Sequence, residues 1–291
     1  MQKTKILYLI TSLDTLGPAT ALVNIATRLN PDLFQVQFCC CDSNHRGPLQ
    51  SALLDNNIPI HTLNTIGPLD IRAILKLVKL LNRERFDILH SRLPRADFYA
   101  RLAGALSDVP IVVNNICDIY TAHFQTWHHP FVGKLYYWSN KLTIQLADFY
   151  VANANGVRDD LIQNVGIPSD KVFRIYNGID SKRFNVNQEV ESQTRSQLGL
   201  ADDALVVGTI AKLNRKKGLH DLLKSAGSVI KKHREIVFLI VGEGPAREEL
   251  LCLKKSLGLG NSVRFMGHRS DVPELLSIMD IFVTGSLASS G

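Results

Sequence analysis

The sequence predicts an α/β protein made of two successive parallel sheets, each covered by helices on both faces. Three observations predict it. Short apolar runs alternate with longer stretches of helical periodicity along the whole chain. A polar stretch without apolar periodicity, from Asn185 to Thr194, separates this alternation into two series. The length of 291 residues suits two domains of ordinary size.

The first series begins at residues 6–10. This apolar run is too short for the core of a signal peptide, and no small-residue cleavage site follows it. It reads as a strand. Further strands are expected at 34–40, 59–63, 87–90, 111–115, 149–152 and 172–176. Between them lie helical patterns, such as 71–82 with Ile71, Ile74, Leu75, Val78 and Leu81 on one face. The second series places strands at 205–211, 237–241, 263–266 and 281–284, with helices at 219–231, 247–257 and 272–278. The expected division is residues 1–184, a linker at 185–204, and residues 205–291. A doubly wound half has about five or six strands. The second series has fewer, so the second domain is expected to be incomplete.

Composition bounds the function. Hydrophobic residues are 45% and charged residues 21%, the balance of a folded soluble chain. The formal net charge of +6 favours anionic ligands or an anionic membrane surface. No zinc-finger spacing or RNA-recognition motif is present, so nucleic acid is not an expected partner. No apolar stretch approaches the ~18 residues that span a bilayer. A cytoplasmic protein is expected, with peripheral contact at the inner face of the membrane open to it. Cys39, Cys40, Cys41, Cys117 and Cys252 include no C-x-x-C pair. Successive strand residues point to opposite faces, so the triplet is read as buried thiols rather than a metal site. His123, His128 and His129 lie among Phe124 and Trp127, and a metal there would need further ligands. That stretch reads as an aromatic acceptor loop, a membrane-facing edge or a plain surface loop. No metal is expected.

Several motifs carry chemistry. Gly208-Thr-Ile-Ala-Lys212-Leu-Asn-Arg215-Lys216-Lys217-Gly218 runs from a strand end into a helix start. A helix N-terminus offers free N–H groups and partial positive charge, and lysines add mobile charge, so the segment suits a diphosphate. Taken alone, its composition favours a solvated basic loop. Val241-Gly242-Glu243-Gly244-Pro245 offers a tight turn and close backbone approach, with Pro245 suited to opening a helix. Arg247 stands where a dinucleotide fingerprint needs its last glycine. No acid ends the next strand, Arg264-Phe265-Met266-Gly267, which argues against a dinucleotide oxidoreductase. Asn177-Gly178 by itself signals a turn. Gly17-Pro18-Ala19-Thr20, after the first strand, is a small-residue loop that a phosphate or acceptor could approach.

In order and together, these motifs resemble the group 1, or family four, retaining glycosyltransferases of the GT-B type. The carrying stretches are Asn177-Gly-Ile-Asp180, Lys212-Leu-x-x-x-Lys217-Gly218, Phe238-Leu-Ile-Val-Gly-Glu-Gly-Pro245, Val263-Arg-Phe-Met-Gly267 and Asp280-Ile-Phe-Val-x-x-Ser286. Asp87-Ile-Leu-His90-Ser-Arg-Leu-Pro94 also fits. The resemblance implies two Rossmann-like domains facing a cleft, the first shaping the acceptor side and the second binding the donor. It implies transfer from a nucleotide sugar, a UDP-sugar, to a glycan or lipid-linked acceptor without a metal cofactor. Basic side chains would stabilise the departing diphosphate. Residue by residue, Lys217 matches the family's phosphate lysine, and Lys212 stands where arginine is usual. Gly242 and Gly244 belong to the donor-side glycine turn. Gly267, His268 and Arg269 match the loop that cradles the nucleobase. Gly17 matches one glycine of a Gly-Gly loop in which Pro18 replaces the other.

Two departures bear on catalysis. Cys117 fills the place of the family's histidine after the fifth strand, and the family's glutamate pair falls beyond the last residue. The expectation is therefore a transferase with impaired turnover. The alternatives are a truncated or degenerate nucleotide-sugar-binding protein, or a sugar-nucleotide epimerase.

Overall fold

A computed structural model of the protein describes residues 3–13, 16–43, 48–67, 69–123, 130–185, 187–201 and 203–286. His128, His129, Phe124 and Trp127 lie outside the described residues, as does the side chain of His123. The chain divides into two compact units, Met1–Ile179 and Asp180–Ser290.

The first unit runs β1 (Thr4–Ile10), α1 (Leu16–Ala26), β2 (Phe34–Cys40), α2 (Pro48–Asp55), β3 (Ile60–Thr62), α3 (Ile71–Glu84), β4 (Ile88–Arg92) and α4 (Pro94–Ala105). It continues with β5 (Ile111–Ile116), α5 (Tyr120–His123), α6 (Pro130–Thr143), β6 (Phe149–Ala152), α7 (Asn155–Gln163) and β7 (Val172–Arg174). The seven strands order as β3-β2-β1-β4-β5-β6-β7, and every pairing is parallel. Strand order reverses between β1 and β4, and ligands of such sheets bind beside the carboxyl ends at that reversal.

Both faces of this sheet are buried, which is why its strands read as unbroken apolar runs. Leu7, Leu9, Cys39, Cys41 and Leu89 pack under α3, α4 and α7, through residues such as Leu77, Ala100 and Leu161. Ile6, Tyr8, Ile10, Phe38 and Cys40 pack under α1 and α2, through Leu22, Val23 and Leu53. The cysteine triplet thus splits between the two faces as buried residues. Each buried leucine or phenylalanine contributes about 1.5–3 kcal/mol.

Helix α3 corrects one detail. Its buried stripe is Ala73, Ile74, Leu77, Leu80 and Leu81, whereas Ile71 and Leu75, expected on that face, are 70% and 60% exposed. The helix carries more apolar residues than one face can hold, and contact with the sheet selects among them. Asp70 caps the helix by accepting from the Arg72 amide at 3.0 Å.

The second unit runs α8 (Gln188–Gln197), β8 (Leu205–Ile210), α9 (Leu219–Ile230), β9 (Ile236–Val241), α10 (Arg247–Ser256), β10 (Val263–Gly267), α11 (Val272–Ser277) and β11 (Ile281–Phe282). Its four parallel strands order as β10-β9-β8-β11. Here the order reverses between β8 and β11. Helices α9 and α10 cover one face through Leu219, Leu223 and Leu250 over Val207, Phe238 and Ile240. On the other, Leu275 and Ile278 pack with Val206, Leu239 and Val241. The polar stretch expected as a linker holds α8, whose first turn is capped by Asn187 and which packs against α11.

One aspartate device recurs at the entrances of β4, β6 and β11. Asp87, Asp148 and Asp280 each accept, through Oδ2, from a backbone amide of the neighbouring strand at 2.7 Å: Lys5, Val112 and Val206. Each donates its own amide to the carbonyl of that same residue at 2.9 Å. The paired bonds set the register where each strand enters the sheet.

Candidate functional site

The densest grouping of the expected site residues is on loops leaving the carboxyl ends of β8, β9 and β10. After β8 the chain passes Ala211, Lys212, Leu213 and Asn214 into a 3₁₀ turn over Arg215–Lys217. Gly218, at φ 61, then opens α9. Glycine carries no side chain, so no cap covers the first amides of that helix. Lys212 is exposed, and Lys216 and Lys217 are half-buried. Lys217 Nζ donates to Ser286 Oγ at 3.4 Å. Among the described residues, no carboxylate lies within ion-pair distance of Lys212, Lys216 or Lys217. Arg215 differs: it turns toward α10 and pairs with Glu249 at 3.0 Å, which holds that carboxylate below its ordinary pKa.

The glycines have specific neighbours. A Cβ on Gly218 would lie 2.0 Å from the Gly285 carbonyl oxygen, so the β8 and β11 loops meet backbone to backbone at the strand-order reversal. A Cβ on Gly242, whose φ is 132, would lie 2.0 Å from the Ala211 carbonyl oxygen, and one on Gly244 would lie 2.3 Å from the Leu213 oxygen. The main chains are stitched together there: Ala211 N to Val241 O and Leu213 N to Glu243 O, each 3.0 Å. What approaches Gly242 and Gly244 in the structure is therefore the chain's own β8 loop. Gly242 N also donates to Gly267 O at 2.8 Å, drawing in the β10 loop. Gly267 adopts φ 68. His268 is exposed. Arg269 makes a two-pronged pair with Asp271, at 2.8 and 2.5 Å, that ties it to its own loop. This bond raises the Arg269 pKa and lowers that of Asp271.

The remaining two expected residues belong to the first unit. Gly17 sits in the first turn of α1 with nothing within 4 Å of the place its Cβ would take. Cys117 follows β5, its Sγ 3.7 Å from Asn115 Oδ1. Burial pushes its thiol up to about 11, so it stays protonated at neutral pH and cannot titrate there as an imidazole does. Sequence reasoning missed the buried polar cluster beneath Cys117. In it Ser91 donates to Asp97 at 2.6 Å, Asn114 donates to Ser91 at 2.7 Å, and Arg101 donates to Asn114 and Asn140. A charged pair one helical turn apart, Asp97 and Arg101, among the apolar and small residues of α4 was its signal.

Among the described residues no group of three His, Cys, Asp or Glu side chains is placed to hold a metal ion. Among the same residues no helix is long and apolar enough to cross a membrane.

Comparison with known proteins decides the family. The model of Glycosyltransferase Family 4 matches residues 17–183, and that of Glycosyl transferases group 1 matches residues 190–289. The chain belongs to glycosyltransferase family 4. The Escherichia coli UDP-Gal:α-D-GlcNAc-diphosphoundecaprenol α-1,3-galactosyltransferase is 25% identical over 264 residues, 87% of this chain and 66% of its own length. The α-D-kanosaminyltransferase of Streptomyces kanamyceticus is 25% identical over 66% of this chain and 50% of its own. The chain thus spans about half to two thirds of these relatives. Anabaena Alr3699/HepE, solved with UDP-glucose, superposes with a TM-score of 0.77 at 24% identity, over 97% of this chain and 74% of that one. Its likeness establishes the GT-B fold for this family member.

Proposed function

We propose that this family 4 chain transfers a sugar from a nucleotide-sugar donor, a UDP-sugar, to a glycan or lipid-linked acceptor with retention of anomeric configuration. The observation that carries the reading is the cluster of Lys212, Lys216 and Lys217, without acidic partners among the described residues, at the uncapped start of α9. It lies beside the strand-order reversal, where such sheets bind ligands. Uncapped amides and ammonium groups without acidic partners favour a diphosphate over any neutral group. They would stabilise the negative charge that develops as a sugar leaves UDP. The names of the relatives support the donor and acceptor classes: one uses UDP-Gal on a diphosphoundecaprenol-linked sugar, and another was solved with UDP-glucose.

With lysines facing the diphosphate, the reaction is read as metal-independent. UDP affinity and turnover should be unchanged by EDTA, and a collapse of both would overturn that part. A lipid-linked acceptor implies peripheral contact with the inner face of a membrane. It fits Trp138 and Leu142 of α6, 54% and 78% exposed beside Lys141. Retention is read from the anomeric configuration of the product by NMR.

The deciding experiment is calorimetry with UDP on the parent and on Lys217→Ala. Loss of one charge-assisted hydrogen bond should weaken binding about tenfold or more. Equal affinity in a folded variant would refute the assignment of Lys217.

A further inference from the structure

The carboxyl end of the first sheet holds a cation that the chain does not satisfy. Arg92 ends β4, beside the strand-order reversal between β1 and β4, and is 1% exposed. One terminal nitrogen donates to Asn177 Oδ1 at 2.9 Å. Nε and the other terminal nitrogen are buried with no oxygen or nitrogen acceptor, and the neighbour on that side is the Cys117 thiol, a weak acceptor. A guanidinium can only donate, and leaving it buried and unpaired is costly.

The surroundings do not supply the missing negative charge. Asp97, the buried carboxylate within the field of Arg92, accepts from Ser91 and is shared with a second buried cation, Arg101. Burial pushes its carboxyl up to about 7. Cys117 is a protonated thiol. Burial, and then Arg92, pull the His90 imidazole down to about 4, so it too is neutral. Of the outer groups, Arg95 is paired with Asp42, and Asp118 is an exposed residue beyond Cys117. Two buried guanidinium groups therefore face one carboxyl that is only partly ionised at neutral pH.

Arg92 also sets the orientation of its one partner. Because it can only donate, it takes the carbonyl oxygen of Asn177 and turns the amide NH₂ away from itself. Asn177 is exposed, and its carboxamide makes no other hydrogen bond among the described residues. The backbone turns abruptly just after Arg92, with Leu93 at φ 82, a conformation that non-glycine residues rarely adopt. Leu93, Asn115 and Cys117 line a cavity of about 20 Å³ adjoining this turn.

We propose that Asn177 and Arg92 form a phosphate-recognition site for a phosphate-bearing acceptor. Asn177 donates its NH₂ to a phosphate oxygen. Arg92 lies too deep to touch the ligand; it is a positioning residue that fixes the amide and supplies a favourable field. The inference rests on the transferase reading, because it names the chemistry of that reaction's acceptor.

The test uses the full chain carrying Lys217→Ala, which weakens the proposed diphosphate site at the start of α9, and methyl phosphate as the probe. The ¹⁵N-labelled side-chain amide of Asn177 is followed by NMR and identified by its disappearance in Asn177→Asp. Its signals should shift saturably with methyl phosphate, and Arg92→Gln should weaken the response about tenfold or more. Arg92→Lys, which keeps the charge, should restore part of it. Asn177→Asp gives a second readout that does not depend on Arg92→Gln folding. Its carboxylate would pair with Arg92, so the melting temperature should rise while methyl phosphate binding, read by ³¹P NMR, is lost. Unmoved Asn177 signals, an undiminished response in folded Arg92→Gln, or a less stable Asn177→Asp would each overturn the proposal. So would displacement of methyl phosphate by UDP, which would assign the phosphate to the donor. UDP affinity of the parent, measured alongside, tests the transferase reading separately.

Discussion

Replacing Gly242 with alanine tests whether the glycine turn after β9 is held by the chain's own packing. The new Cβ would stand 2.0 Å from the Ala211 carbonyl oxygen and 3.0 Å from its carbon. Backbone atoms cannot rotate away as a side chain end can. The site also has φ 132, a region that L-residues rarely occupy. Holding alanine there costs about 1–3 kcal/mol, and forcing an extra carbon into a close-packed contact costs about 1–3 kcal/mol more. The expected loss is therefore roughly 2–6 kcal/mol, a large share of the ~5–15 kcal/mol that stabilises an ordinary domain. Gly17→Ala is the control. Its Cβ would meet nothing within 4 Å, and it sits in a helix, where alanine is favoured over glycine by roughly 0.5–1 kcal/mol. Urea unfolding followed by circular dichroism, fitted with a separate transition for each unit, reads both variants. Gly242→Ala should lower the midpoint of the second unit strongly, while Gly17→Ala leaves the first unchanged or slightly raised. A Gly242→Ala loss below about 1 kcal/mol would refute the packing argument, since the strain contribution alone should exceed it.

Other substitutions report on the polar core and the strand entrances. The folded pKa of Asp97, about 7, lies above its ordinary value of 3.8, so its contribution to stability is fully present below about pH 4 and is lost as pH rises through 7. At most about 4 kcal/mol is at stake; in urea titrations the difference between parent and Asp97→Asn should shift in favour of the variant between pH 4 and 8, and a constant difference would contradict the raised pKa. Asp280→Ala removes the acceptor for the Val206 amide and should cost about 1–2 kcal/mol, with faster hydrogen exchange at Val206; unchanged exchange would mean the bond is not made in solution. Gly104→Ala would drive a Cβ to 2.4 Å from Val112 Cγ2, and denaturation should show a loss of about 1–3 kcal/mol, whereas a stabilised variant would show that α4 shifts freely on β5.

The strands and the fold class were legible in the sequence because their cause is local. A parallel strand buried on both faces must be apolar at successive positions, so β1, β2, β5, β6, β8 and β9 stand out as short runs between helical patterns. The basic loop before α9 was legible for the same reason, its charge and its closing glycine being neighbours in the chain. Tertiary structure decided the rest, because the partners are distant. Only the folded chain sets Gly242 against Ala211 and Gly218 against Gly285, so the reason these positions lack a side chain is invisible from either segment alone. Only the sheet chooses which apolar residues of α3 are buried, turning Ile71 and Leu75 outward. The buried arginines illustrate the limit most plainly. Composition counts Arg92 and Arg101 as surface charge, yet β4 and α4 carry both into the interior. Arg92 then meets Asn177, 85 residues away, at the end of a sheet whose strand order no local pattern encodes.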